Sequence, residues 1–463
     1  DVQTDTATPV TVVDQEEIED RQAGTIAELI DSVPGVSLVN GSTPIGSGIN
    51  IRGFGANGTY GTDQKVAIQV DGASVGSEEL YRIGSQLFTD PYLYKSVEVI
   101  RGTVGSFEYG SGIIGGVVRL ETIDASDLTG GETGLAFRQT LGGATNMDGF
   151  NSSSDNVIEN SEFELPSYLL KARYTAGDHS LRASYTNSET SERDKPYDSF
   201  GTTGGSFGNV DRDTKSETVS LAYNFNPVAN DFVNLDAIYS YASQEIDQEC
   251  VVGSGPFGCF ATVDADHRYE TTKFTVKNTA YIETGALVHN LRTGIDFIQK
   301  ERLDASSAPG GEDNRIALFA VDQIDFLGGW TFAPAIRFET SEIEGTLDDG
   351  STASYDNDAL MGGASLRYQF EGGIALFGSY AYTESLPILD DLENEIYMTQ
   401  PEIGKTYEFG ASYDRIGVFG QDDTLSMKAN YYHTDQEDNT SYSGVDSIEL
   451  QGLELEGSYA RRD

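Results

Sequence analysis

Side chains suited to bond-making chemistry are scarce in this sequence: four histidines and two cysteines stand among 463 residues. The cysteines, Cys250 and Cys259, enclose Gly253, Ser254, Gly255, Pro256 and Gly258. A pair spaced across a Gly/Pro turn predicts a small loop-closing disulfide and an oxidising compartment, two free loop thiols being the alternative. No Cys/His spacing suits zinc, so no metal centre and no permanently bound cofactor is expected. His179, His267, His289 and His433 enter no Ser/His/Asp order with a nucleophile elbow. Glycosidase-like carboxylate pairs cannot be singled out among 75 acidic residues. The chain therefore does not read as an enzyme. What it has in quantity is aromatic surface, 25 Tyr and 22 Phe.

The charge narrows the classes further. Lys and Arg number 29 against 75 Asp and Glu, so 29 − 75 gives −46. Nucleic acid is excluded as a partner, because phosphate binding needs clustered cations. High net charge with modest hydrophobicity points towards disorder, but the aromatics supply burial surface and only 12 residues are proline. No run approaches the roughly 20 apolar residues of a transmembrane helix. A β-barrel stays open, since its alternating strands keep hydropathy low. The sequence starts at Asp1 without a charged and then apolar leader, so any signal peptide has been removed or never existed.

The elements that must position any site follow two grammars. Up to residue 125 the pattern is mixed α/β. Ile18, Ala23, Ile26, Ala27, Leu29 and Ile30 fall at helical spacing within 16–33, with Thr25 as a candidate N-cap and Pro34-Gly35 as the stop. Short strands are expected at 49–51, 66–70, 97–100 and 117–120, bounded by turns such as Arg52-Gly53 and Asp71-Gly72. Beyond residue 130 the text alternates almost throughout. Leu170, Ala172 and Tyr174 oppose Lys171 and Arg173, and Leu425, Met427, Ala429 and Tyr431 repeat the pattern far downstream.

A soluble sandwich also alternates. Here, however, many strands end in an aromatic at one phase, and short connections (177–178) alternate with long polar ones (188–213, 244–267, 304–314). That asymmetry is the turn-and-loop rule of outer-membrane barrels. The expected fold is membrane all-β: a mixed α/β domain over 1–125, and over 126–463 a large antiparallel transmembrane β-barrel of roughly fourteen to sixteen strands. The ending Tyr459-Ala460-Arg461-Arg462-Asp463 reads as mid-strand text, so a barrel truncated at the C-terminus is expected.

Five motifs make the first part specific: TIAELIDSVPGV (25–36), INIRGF (49–54), VAIQVDG (66–72), SVEVIRG (96–102) and YGSGIIGGVV (109–118). In this order they resemble the plug domain of TonB-dependent outer-membrane receptors, and EIGKTYEFG (402–410) and MKANYY (427–432) look like late-barrel text. The resemblance implies an α/β plug in the lumen of the barrel. It also implies a monomer in the outer membrane of a Gram-negative bacterium, surrounded by lipid and lipopolysaccharide. The implied activity is ligand-gated active uptake, energised through a periplasmic TonB protein. Gly53, Gly72, Gly102, Gly110, Gly115 and Gly116 suit close approach of plug loops to a wall, with Asp71 in the same motif set. Arg52 and Arg101 are expected to pair with lumen-facing carboxylates, since buried charges need partners. Residues 1–10 carry no clear apolar box for the energy coupler. Either the box lies upstream, or the protein is not energised in the usual way.

FTDPYLYKSVEV (88–99) and TIDASDL (122–128) look most like the haem and haemoglobin receptor branch, which ligates iron with a plug histidine and a late-loop histidine. This sequence departs at both places. No histidine precedes His179; the plug segment 78–88 offers Tyr81, and the late loop 382–404 offers Tyr397 and Met398. Tyrosine can be an axial haem ligand. Packing or rim roles for both tyrosines are the alternative. His433 shares phase with lipid-side residues, and His267, at the end of a long loop, is the one histidine kept as a ligand candidate. Tyr60, Tyr81, Tyr92 and Tyr94 suit a ferric siderophore equally well. The transported ligand is thus an iron chelate, haem-type favoured, with a siderophore or other large nutrient as the alternative and a passive porin-like channel as the reading from another class.

Overall fold

The structure, a computed structural model, describes residues 3–39, 48–57, 60–61, 65–76, 89–141, 164–197, 207–256, 258–259, 263–264, 266–305, 310–326, 328–420, 422–440 and 444–461. Its first unit is built from β1 (Val10–Asp14), α1 (Gln15–Arg21), α2 (Ile26–Leu29), β2 (Val36–Val39), β3 (Gly48–Ile51), β4 (Phe54–Asn57), β5 (Tyr60–Gly61), β6 (Val66–Val70), β7 (Ala73–Val75), β8 (Tyr94–Arg101), β9 (Gly116–Thr122) and α3 (Ala125–Thr129). The helical pattern over 16–33 resolves into two short helices. Gln22 adopts a left-handed φ of 51° and ends α1 there, and the Thr25 hydroxyl then caps α2 by accepting from Glu28 N at 3.1 Å. Five strands form one sheet in the order β1-β8-β9-β6-β7, and β2 to β5 form a smaller one. Ile18, Leu29, Ile30, Ile51, Val70, Val97 and Val118 close the core between them.

Two hairpins in this unit share one device. Arg52 and Gly53 (φ 54° and 90°) join β3 to β4, and Asp71 and Gly72 (φ 48° and 91°) join β6 to β7. Positive φ at both central positions is the two-residue turn that matches strand twist. Each hairpin thereby projects a charged side chain, Arg52 or Asp71, from the tip of a tight turn.

The second unit is one sheet: β10 (Ser167–Ala176), β11 (His179–Pro196), β12 (Asn209–Phe225), β13 (Leu235–Cys250), β14 (His267–Thr284), β15 (Leu287–Ala305), β16 (Gly311–Phe326), β17 (Trp330–Thr346), β18 (Thr352–Gln369), β19 (Ile374–Ser385), β20 (Glu402–Ile416), β21 (Asp423–Glu437) and β22 (Ser447–Arg461). These 13 strands pair antiparallel in sequence order. Among the described residues no ladder joins β22 back to β10. Connections 177–178, 285–286 and 370–373 lie at one end; the strand ends Pro196 and Asn209, Cys250 and His267, and the connection 386–401 lie at the other, where the longer connections join.

The sheet curls around the first unit. Lys171 on β10, Ser220 on β12, Lys273 on β14, Arg337 on β17, Ser385 on β19 and Glu454 on β22 all touch it. Alternation sorts the two faces: Lys428, Asn430 and Thr434 are buried inside, while Met427 is 50% exposed outside. At the short-connection end the outer face carries an aromatic cluster in which Trp330 and Phe370 each lie 4.6 Å from Tyr368. No helix among the described residues is long and apolar enough to cross a membrane, which says nothing of strands.

Candidate functional site

The first unit is fastened to the wall by charges that water does not reach. Arg52 donates from Nε to Glu454 Oε1 at 2.7 Å, from Nη2 to Glu454 Oε2 at 2.8 Å and from Nη1 to Glu408 Oε1 at 2.8 Å. The Tyr432 ring lies 4.2 Å from the guanidinium. Arg101 reaches the same wall, with Nη2 donating to Glu456 Oε1 at 2.8 Å and to Thr11 Oγ1 at 3.0 Å and Nη1 to Pro34 O at 2.9 Å. A planar fork held by two carboxylates is the geometry arginine is built for. Burial disfavours the Arg52 cation, but Glu408 and Glu454 outweigh it and hold the group firmly charged. Gly102 completes the fit, because a Cβ there would lie 2.1 Å from Glu408 Oε1. Gly116 is required in the same way, its Cβ position being 2.1 Å from Ile100 O.

Asp71 is the second fastening. Its carboxylate accepts from Thr122 N at 3.1 Å and Thr122 Oγ1 at 2.5 Å, and Lys171 Nζ lies 3.4 Å away. Burial alone would raise this carboxyl; Lys171 and the Thr122 donors reverse that and hold it below the usual carboxylate value. A third pair, Lys65 with Glu402 at 2.6 Å, is fully buried near the long-connection end. The N-terminal segment is gripped at the opposite end. Lys428 Nζ donates to the carbonyls of Gln3, Thr6 and Thr8 at 2.9, 2.9 and 2.8 Å, and Arg367 donates to Thr4 O at 3.0 Å.

A cleft opens between β6, β7 and the 109–113 segment on one side and β14 to β17 on the other. Tyr109, Ser111, Lys273, Lys300, Arg315 and Glu339 line it. Its wall residues stand in the half of the strands that carries the long connections. Lys273 lies 3.4 Å from Asp296 and donates to Tyr109 O at 3.4 Å; Arg315 is held by Asp313 at 2.5 Å and reaches Ser111 Oγ at 3.4 Å. Three cations thus reach the cleft, two of them already paired with wall carboxylates: Lys273 with Asp296, and Arg315 with Asp313 and Glu339. Burial raises the Tyr109 phenol, with Glu108 adding to the rise, so it presents a neutral hydroxyl.

The remaining candidates are spread apart. Tyr81 lies outside the described residues. For Tyr60 the backbone pairs with Asn57 in a two-residue strand. Tyr92 is half-buried in the turn Pro91–Leu93, where its N–H donates to Asp90. Tyr94 is fully buried against Thr89. Tyr397 is half-buried on α4 (Glu395–Met398) in the 386–401 connection, while Met398 is buried with Ile343, Leu389 and Leu392. His267 is buried with its ring stacked on Tyr269. Cys250 and Cys259 are disulfide-bonded, with Cα atoms 5.8 Å apart. The sequence reading missed Lys65, Lys428 and the cleft cations. Their signal was available: Lys171, Lys273, Arg315, Arg337 and Lys428 all occupy the inward phase of alternating strands.

Comparison with known proteins matches residues 2–117 to the TonB-dependent receptor plug domain and residues 161–461 to the TonB-dependent receptor-like β-barrel. The chain is 25% identical to a hemin receptor of Yersinia pestis over 97% of its own length and 72% of the relative's. It is 25% identical to a hemin receptor of Yersinia enterocolitica, covering 93% of this chain and spanning 66% of that relative. Among solved structures it resembles the Serratia marcescens hemophore receptor HasR in complex with its hemophore HasA and heme, with a TM-score of 0.76 at 17% identity, covering 97% of this chain and 79% of the other. That last likeness shows the fold.

Proposed function

The chain belongs to the TonB-dependent receptor family, and on that premise we propose that it takes up an iron-bearing ligand of the haem type across the outer membrane of a Gram-negative bacterium. The observation that carries the reading is a plug locked in the sheet by Arg52, Arg101 and Asp71 beside a cation-lined cleft on the long-connection side. A filled lumen argues against a passive channel. Haem presents an apolar macrocycle and two propionates; the cleft offers Tyr109 and Ile113 to the first, and Lys273, Lys300 and Arg315 to the second once the propionates compete with Asp296 for Lys273 and with Asp313 for Arg315. The hemin receptors among its relatives favour this cargo over others. Tyr81 and Tyr397 are the axial-ligand candidates in place of histidine. Met398 would have to leave its apolar cluster to join them.

The outer face, with Met427, Leu453 and Leu455 exposed, suits lipid, and the aromatic cluster at Trp330 suits its interface. The short-connection end then faces the periplasm, where the segment gripped by Lys428 is within reach of a TonB partner. An anionic ferric siderophore is the second reading, favoured by the same cations in the cleft.

The test is a haemin titration of the detergent-purified protein followed at the Soret band, with a ferric siderophore as competitor. Saturable binding weakened by Lys300→Ala and with altered Soret position in Tyr397→Phe supports haem uptake. Absence of a shift, with tyrosine fluorescence quenched by the siderophore instead, moves the cargo to the second reading.

A further inference from the structure

The outer wall carries a group of side chains that neither the plug nor the cleft uses. On β21 and β22, His433, Asp435 and Glu449 bring one imidazole nitrogen and two carboxylate oxygens within 4.8 Å of one another. His433 Nε2 lies 3.2 Å from Asp435 Oδ1, and Nδ1 lies 3.8 Å from Glu449 Oε1. We propose that these three residues form a divalent metal-ion site on the outside of the barrel.

The strand register makes the case. Asp435 stands directly opposite Glu449 in the β21–β22 ladder, on the same outward face. Like charges in that position repel unless a cation sits between them. The nearest lysine does not serve. Lys405 is the β20 partner of Asp435, but its Nζ is turned to the Glu437 carboxylate at 2.8 and 2.9 Å. The other β20 neighbour is Tyr407, paired with His433, and the β22 residue facing His433 is Gln451. One imidazole is thus left to answer two carboxylates.

The position suits an ion as well. The outward residues of β21 run Leu425, Met427, Ala429, Tyr431 and then His433, so the trio begins where the apolar band and its tyrosine end. Its side chains are open to the outside, with Glu449 68% exposed and able to rotate inwards to close the spread. An imidazole with two carboxylates is a donor set for zinc-like divalent ions, and three protein ligands leave a coordination position free. That position points away from the wall, towards water or a phosphate of the surrounding membrane surface. The site is independent of the cargo.

The experiment is a Zn²⁺ titration of the detergent-purified full chain by calorimetry, repeated with Co²⁺ read by visible absorption. One saturable equivalent of Zn²⁺ is expected, with Co²⁺ ligand-field bands, and both are lost in His433→Ala and in Glu449→Gln. His289→Ala, which removes the other outward histidine paired with a carboxylate (Asp322), leaves them intact. Glu449→Gln preserves shape, so its loss of binding cannot be laid to misfolding when the heat transition is unchanged. Failure to find a saturable equivalent, or its retention in either variant of the trio, overturns the site.

Discussion

Along β20 to β22 the plug supplies cations, Arg52 and Arg101, and the wall supplies carboxylates, Glu408, Glu454 and Glu456. Along β14 to β17 the roles are reversed and unequal. Lys273, Arg315 and Arg337 belong to the wall, and the plug answers with Phe107 O, Tyr109 O and Ser111 Oγ at 3.3 to 3.4 Å. The first contact is charge on charge at 2.7 to 2.8 Å, fully buried. In the second, Lys273, Arg315 and Arg337 already pair with the wall carboxylates Asp296, Asp313 and Glu339, and the plug adds neutral groups to them; its charge here, Glu108, meets Arg292 of β15 at 3.3 Å in a pair that is not fully buried. Removing a partner from a buried ion pair leaves a bare charge, whereas losing a neutral hydrogen bond costs far less. The β20–β22 side is therefore an anchor. The β14–β17 side, which borders the cleft, is the part free to give.

Breaking the anchor is the largest effect expected. Among the described residues, Arg52→Ala leaves buried Glu408 with only the Asn430 amide and buried Glu454 with only Arg101 at 3.5 Å, and should cost about 3–5 kcal/mol of plug stability, read by denaturant unfolding in detergent. Arg52→Lys should recover only part of this, because an ammonium cannot make the fork. A variant as stable as the parent would remove the distinction between the two sides. Asp71 is intermediate, one ion pair with two hydrogen bonds, and Asp71→Asn should cost about 1–3 kcal/mol. Its carboxyl is held below the usual value of 3.8, so the contribution is complete above that value and fades as pH falls below it. Acid unfolding followed for parent and Asp71→Asn should show the difference between them shrinking only in that range.

Much of this was readable beforehand, for physical reasons. Arg52-Gly53 and Asp71-Gly72 stand out because a two-residue hairpin with both φ positive leaves few alternatives. The wall strands stand out because one period covers 13 of them. The arginines' partners were not readable: 75 acidic residues offer no way to pick Glu454 from its neighbours. The period says that it faces inwards, but only the three-dimensional register brings it to Arg52. The helix expected over 16–33 divides because Gln22 is left-handed, a backbone choice that spacing of apolar residues does not report. The cleft cations stand on three different strands and meet only once β14 to β16 lie side by side.

Native-state hydrogen exchange of the detergent-purified protein tests the comparison most directly. The amides of Arg52 and Gly102, bonded to Gly35 O and Gly115 O at 2.7 and 2.9 Å, should exchange only when the whole plug unfolds. Those of Ser106 and Tyr109, bonded within their own turn at 3.0 and 2.8 Å, should exchange by local opening at lower free energy. Equal protection on the two sides, or earlier opening at Arg52, would contradict an anchored seam facing a yielding cleft.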